Sequence, residues 1–102
     1  MDNYKIELDK SKNLIFIEVD GDIAAEMNII FDDSDRIIIE HTLVNPRFNG
    51  KGLGKLMVAK GVEYARENGM KITPICKYAK SVFDKNPEYN DVLVQTITSE
   101  NI

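Results

Sequence analysis

The sequence predicts an α/β domain, α+β in some schemes, built on a mixed sheet. An antiparallel meander comes first, then one parallel crossover strand, with two main helices. Three observations predict this. Apolar, β-branched runs divided by Asp and Gly turn signals fill the first 44 residues. An Asn45-Pro46 break and three alternate glycines, Gly50, Gly52 and Gly54, then interrupt the pattern. Beyond them apolar residues recur at helical spacing, followed by a second short β-branched run at Met70 to Thr73.

The elements follow in order. Residues 4–9 alternate weakly and predict a short strand or an extended lead-in. Lys10 to Asn13 is a turn. Leu14 to Val19 is a strand, and Asp20-Gly21-Asp22 turns it back, since glycine tolerates the positive φ of a tight hairpin. Ile23 to Phe31 is the second strand of the meander, although Ala24 to Met27 also suits a helix. Asp32 to Asp35 is a turn, and Arg36 to Val44 is the third strand. After the glycines, Leu53, Leu56, Met57, Gly61, Tyr64 and Ala65 share one helical face, and Gly69 is placed to stop the helix in a left-handed conformation. Met70 to Thr73 lies beyond a crossover helix, so it runs parallel to the strand before the loop. Pro74 precedes a second helix over roughly Cys76 to Lys85, with Ala79, Val82 and Phe83 on one face and Asn86-Pro87 ending it. Val92 to Val94 is a last edge strand. Residues 95–102 read as a flexible tail, leaving a single domain over 1–102 with its core in about 14–94.

Composition bounds the function. The 102 residues are 43% hydrophobic and 29% charged, enough for one core without staples. No apolar run approaches a membrane span, and the N-terminus lacks the pattern of a signal peptide. With one cysteine, this points to a reducing, cytoplasmic setting. The net charge of −4 is unevenly spread: residues 1–44 hold 4 basic and 11 acidic groups, whereas residues 45–85 hold 9 basic and 3 acidic. Positive charge therefore gathers around the glycines. That suits a small polyanion better than a nucleic acid, which the rest of the chain repels, unless the basic segment is merely a solvated face.

A strand that hands a glycine loop to a helix is an anion-binding device. The first-turn N–H groups have no helical partner, and the helix dipole puts partial positive charge there. The phosphate-loop pattern G-x-x-x-x-G-K-[ST] fails, with Asn49 where its first glycine belongs and Leu56 where its Ser or Thr belongs. The dinucleotide pattern G-x-G-x-x-G also fails, meeting Lys55 or Met57 at its last glycine.

Asn49-Gly50-Lys51-Gly52-Leu53-Gly54, after a strand and opening a helix, resembles the [Q/R]-x-x-G-x-[G/A] motif of the GNAT family, the Gcn5-related N-acetyltransferases. The likeness covers roughly residues 14–94. It is closest to a minimal single-domain subgroup with HT-x-V before the loop and P-x-C before the second helix: His41-Thr42-Leu43-Val44 and Pro74-Ile75-Cys76 match, and Asn86-Pro87-Glu88-Tyr89 is similar to the subgroup's HPEY. The resemblance implies acetyl-CoA as co-substrate and an amine as acceptor. It places the CoA pyrophosphate on the backbone of Gly50 to Lys55, including Leu53, with Lys51 and Lys55 adding charge. It lays the pantetheine along a splay between the strand ending at Leu43-Val44 and the next strand, with the acetyl carbonyl polarised by an N–H near Leu43 or Val44. Asn49 departs from the family's Gln or Arg, so a side-chain contact to phosphate there is not implied. Phe83 stands where many members carry a proton-donating tyrosine, and Cys76, His41 and Tyr78 are the candidates to replace it.

Cys76 opens a helix, a position that lowers a thiol pKa. It is read as an acetyl-accepting nucleophile, a proton donor or a CoA contact, against a small buried residue filling space. His41, by strict alternation, shares its face with Ile37, Ile39 and Leu43, with Glu40, Ile38, Thr42 and Val44 opposite. It is read as the base for the incoming amine or as a core residue. One His and one Cys make no metal site. The function expected is acetyl transfer from acetyl-CoA to an amine, with a protein or peptide terminus suiting a chain that lacks the helices usually walling the acceptor. The alternative is a non-catalytic acyl-CoA binding or sensing module. No nucleic-acid or membrane partner is expected, and a monomer or weak homodimer is.

Overall fold

The computed structural model describes residues 4–32 and 35–94. Five strands, β1 (Lys5–Asp9), β2 (Leu14–Val19), β3 (Asp22–Asp32), β4 (Arg36–Val44) and β5 (Lys71–Pro74), form one sheet in sequence order. The first four pair antiparallel and β4–β5 is parallel, joined by helix α1 (Leu53–Asn68). Helix α2 (Lys77–Lys85) follows β5. The β2–β3 hairpin turns through Asp20 and Gly21, both at positive φ, which is why its tip carries an Asp-Gly pair. Gly69 ends α1 at φ 65°, its N–H bonded to the Ala65 carbonyl. The predicted 95–102 tail lies outside the described residues, as do two residues of the 32–35 turn. Of the predicted last edge strand, Leu93 forms a single parallel bridge to Ile72, held by Ile72 N–H to Val92 O and Val94 N–H to Ile72 O. None of the described helices is long and apolar enough to cross a membrane.

Both helices lie on the same side of the sheet. Ile15, Ile17, Met27, Ile29, Ile37, Ile39 and Ile72 present one face, and Met57, Val58, Val62 and Ala65 of α1 with Ala79, Val82 and Phe83 of α2 close over it in one buried cluster. The apolar stripe of α1 is wider than the spacing predicted, since Val58 and Val62 are buried while Leu56 and Tyr64 are only half-buried. The alternate residues of the strands, among them Phe16, Glu26, Asn28, Ile30 and Ile38, form the other face, where none is buried.

Two bulges break the alternation. Ala24 is the extra residue between the pairs Ile17–Ala25 and Glu18–Ile23. Glu40 is the extra residue between Ile29–Ile39 and Asn28–His41. The second corrects the strict alternation expected for β4. A bulge opposes two residues to one and shifts the parity of everything beyond it. Past Glu40 it is Thr42 and Val44 that pair with the buried Met27 and Ala25, while His41 and Leu43 pair with Asn28 and Glu26 on the uncovered face. His41 is therefore exposed rather than seated among Ile37 and Ile39.

Candidate active site

The β4–β5 ladder ends at Ile39–Pro74. There the Ile39 carbonyl accepts from both Ile75 N–H (2.9 Å) and Cys76 N–H (3.2 Å) as the chain leaves for α2. Residues 40–44 of β4 run on with no β5 partner, so the sheet has a gap at this end. The strand's backbone groups on that side are open to a ligand that would pair as a strand does.

Beyond Val44 the side chain of Asn45 accepts from Arg47 N–H (3.0 Å) and caps a single 3-10 turn, Pro46–Phe48. The chain then passes Gly50 at φ 80° and Gly52 at φ 73°, conformations a side chain would oppose. Gly52 is the N-cap of α1 and supplies no capping side chain; the first turn carries no acidic residue. The first backbone bond across the helix start is Leu56 N–H to Gly52 O, at 3.2 Å. Within the helix the N–H groups of Leu53, Gly54 and Lys55 have no carbonyl to bond. Lys51 and Lys55 are exposed beside them, placing positive charge where the dipole makes it unfavourable.

A cleft of about 370 Å³ joins the gap to this helix start. Thr42 and Val44 of β4, Phe48 to Gly50 and Gly52 of the loop, Leu53 and Gly54 of α1 and Tyr78 of α2 line it. The Tyr78 ring lies against Gly54, where an added Cβ would stand 2.5 Å from Cε2 and 2.6 Å from the hydroxyl. Glycine at 54 thus makes room for the phenol rather than for backbone curvature.

Cys76 is the N-cap of α2. Its thiol lies 3.5 Å from the Thr42 hydroxyl. Burial pushes this thiol up, but the Thr42 hydroxyl and the backbone N–H groups of Ala79, Tyr78 and Thr42 outweigh it, and its pKa lies below the usual value. The sulfur makes no capping bond of good geometry, so the α2 amides act on it chiefly as oriented dipoles. Tyr78 moves the other way: burial first, then the charge of the nearby Cys76 thiolate, raise its phenol and keep it protonated. Phe83 is 3% exposed and edge-on to Tyr89 at 5.8 Å, a core residue with no proton to give.

The structure therefore gathers Val44, Asn49, Gly50, Gly52, Leu53, Gly54 and Tyr78 around one cleft, with Cys76 tied to it through Thr42. It sets Lys51 and Lys55 at the rim, exposed. His41 and Leu43 face away from Cys76; Leu43 lines a separate groove of about 280 Å³ with Ile23, Glu26 and Pro46. Thr42 and Phe48 carry the site with no role foreseen for them. Thr42 was in plain view within HT-x-V, but strict alternation turned it away from the thiol. Among the described residues no three His, Cys, Asp or Glu side chains gather as a metal site.

Residues 15–92 match the family model of the GCN5-related N-acetyl-transferases. The solution structure of a GCN5-like N-acetyltransferase candidate from Staphylococcus aureus is 35% identical and superimposes with a TM-score of 0.72, over 92% of this chain and 91% of that one. The fold is shared with the ribosomal-protein-alanine N-acetyltransferase of Brucella melitensis biovar Abortus 2308, at 16% identity and a TM-score of 0.57, over 87% of this chain and 66% of that one. It is shared too with a Clostridium acetobutylicum protein predicted to be an acetyltransferase and solved with acetyl-CoA, at 20% identity and a TM-score of 0.53, over 74% and 57% of the two chains. No curated protein matches the chain. The mixed sheet that parts after Ile39–Pro74, the glycine loop opening α1 and the match over residues 15–92 lead to one conclusion: the chain belongs to the GCN5-related N-acetyltransferase family.

Proposed function

We propose that the chain moves an acetyl group from acetyl-CoA to an amine, with Cys76 as the first acceptor. The observation that carries this reading is the start of α1: uncapped, free of acids and flanked by Lys51 and Lys55, it is arranged for an anion. The pyrophosphate of CoA sits on the N–H groups of Gly50 to Lys55. The pantetheine runs along the unpaired edge of β4 as an added strand. The thioester then lies in the gap near Cys76, its carbonyl polarised by the N–H of Val44, which shares a strand side with Thr42 N–H, whereas Leu43 N–H lies toward β3.

The Cys76 thiolate, held by Thr42 and the α2 amides, attacks the thioester carbonyl. A C–S bond to Cys76 forms and the C–S bond to CoA breaks. The net proton transfer is from the Cys76 thiol to the CoA sulfur, and Tyr78, protonated and in the cleft, is the donor at hand. The amine then displaces Cys76, forming an amide and restoring the thiol. His41, exposed beside the gap, is the base available to an amine arriving from the uncovered face.

The test is intact mass after incubation with acetyl-CoA alone. Wild type gains one acetyl group and Cys76→Ala none; wild type unmodified, yet acetylating amines at the same rate as Cys76→Ala, removes the nucleophile assignment. A second reading, a non-catalytic acyl-CoA sensor, is favoured by the buried phenyl ring at Phe83. Tight acetyl-CoA binding with neither modification nor turnover decides for it.

A further inference from the structure

Five large apolar side chains are exposed among the described residues: Ile23, Ile30, Leu43, Ile75 and Tyr78. Three of them line the two cavities at this end of the sheet, Tyr78 the cleft and Ile23 (39% exposed) and Leu43 (67%) the 280 Å³ groove, and Ile75 follows β5 where the ladder ends. Val44 lines both that groove and the 370 Å³ cleft, so the two meet at one residue. Apolar exposure focused on one end of the sheet marks a place where something docks.

Charge says what docks. On the uncovered face the end beside the gap carries Glu18 opposite Ile23, Glu26 opposite Leu43, and the exposed Glu40 at the bulge. Among the described residues Lys5 and Arg47 approach this end: Lys5 is the cross-strand partner of Glu18 and lies 3.5 Å from Glu7, and Arg47 lies 3.6 Å from Asp22. The face is acidic, whereas the loop and α1 start that the proposed CoA site uses are basic. A polyanion such as a lipid surface or nucleic acid is repelled from it. A second copy is disfavoured as well, because a two-fold contact would set these glutamates against themselves.

We propose that this groove docks the acceptor, and that the acceptor is a lysine-bearing segment of a polypeptide. The inference rests on the acetyl-transfer reading and names its substrate class. A lysine side chain is an apolar stem with an ammonium tip. The groove is its complement, with Ile23, Leu43 and Pro46 as walls and Glu26 the only ionisable residue lining it among the described residues. Glu26 holds the ammonium. His41, a diagonal neighbour across the β3–β4 pair, is within reach to take the proton before the amine enters the gap. An N-terminal amine has no such stem to cover the apolar walls.

The experiment uses the full chain and an N-terminally blocked ten-residue peptide with one lysine flanked by leucines. Thiol release is followed against peptide concentration, and acetyl-CoA affinity is measured separately by calorimetry. Glu26→Gln raises the peptide KM about tenfold, the loss of one charge-assisted contact, and Ile23→Ser raises it less. Acetyl-CoA affinity stays within about twofold of wild type in both, since neither residue lines the CoA cleft. The wild-type KM rises with ionic strength. Unchanged KM in both variants overturns the groove. Preference for a lysine-free peptide with a free N-terminus overturns the lysine assignment, and a concentration-dependent dimer that the peptide does not dissociate gives the face to a second copy. If wild type turns over no amine, the acetyl-transfer reading fails on its own. Peptide-induced NMR shifts at Ile23, Glu26 and His41 still uphold the dock, and their absence overturns it.

Discussion

Gly50, Gly52 and Gly54 stand at alternate positions, yet alanine at the three sites has two different effects. At Gly50 and Gly52, with φ of 80° and 73°, an added Cβ meets nothing within 4 Å. The cost is therefore conformational alone, roughly 1–2 kcal/mol for an L-residue held left-handed. Stiffening the unfolded chain returns part of this, leaving about 1 kcal/mol of destabilisation at each site. On a chain of this size that corresponds to a fall of about 4–8 °C in Tm. Gly54 is the second residue of α1, where alanine gains up to about 0.5 kcal/mol in helix propensity, less than in a helix middle. Its Cβ instead strikes the far end of the Tyr78 ring, which is 39% exposed and free to swing outward. Gly54→Ala therefore leaves Tm near wild type or above it while displacing the phenol. Urea and thermal unfolding read the first effect, and the Tyr78 ring signals in NMR read the second. D-alanine at position 52, introduced by chemical ligation, fits the positive φ and is at least as stable as wild type. If L-alanine at 52 proves neutral, or D-alanine less stable than L-alanine, the left-handed turn is not what the glycine provides and the argument fails.

Other consequences concern protons and cavities. The alkylation rate of Cys76 against pH has its midpoint below that of a free thiol; Thr42→Val moves it upward without loss of fold, and an unmoved midpoint removes Thr42 from the site. Asp91 is held below the usual carboxylate range first by its hydrogen bonds from Arg66, at 2.9 Å, against the opposing effect of desolvation. A folded pKa below the unfolded value, about 3.9, stabilises the fold above that pH and loses the contribution as pH falls through the folded pKa. The stability difference between wild type and Asp91→Asn therefore narrows on acidification below about pH 4, and a difference that grows there contradicts the pairing. Phe83→Tyr does not restore a general acid: the ring is 3% exposed, and an unpartnered hydroxyl there costs about 1–3 kcal/mol. Higher turnover in that variant would place Phe83 in the cleft rather than in the core.

Most of the architecture could be read from local chemistry. The strand Leu14–Val19 and the strand Arg36–Val44 begin and end where their β-branched runs do. Gly69 closes α1 because a residue at ease with positive φ continues from Asn68, and Pro74 ends β5 just before the turn into α2. The charge division between residues 1–44 and 45–85 became the division between an acidic sheet face and a basic loop. What local chemistry did not contain was contact between distant segments. Nothing near Gly54 predicts that Tyr78 will lie on it, and the width of the α1 stripe depends on which sheet residues α1 packs against.

The orientation of β4 is the clearest case. In Ile37-Ile38-Ile39-Glu40-His41-Thr42 no residue announces a bulge; the extra residue exists only in the pairing with Asn28 and Ile29. Its consequence is chemical. Without it, alternation would turn His41 toward the α2 start and Thr42 away. With it, the hydroxyl meets the thiol at 3.5 Å and the imidazole is left on the open face. The bulge also lies where β5 leaves the ladder, so the change of parity and the opening of the gap occur at the same point along the strand. A single inserted residue thus sorts the two side chains onto opposite sides of the gap: Thr42 with the thiol and the CoA cleft, His41 with Glu26 and the acceptor groove. Had the strand stayed regular, both the thiol's partner and the amine's base would have been sought on the wrong face.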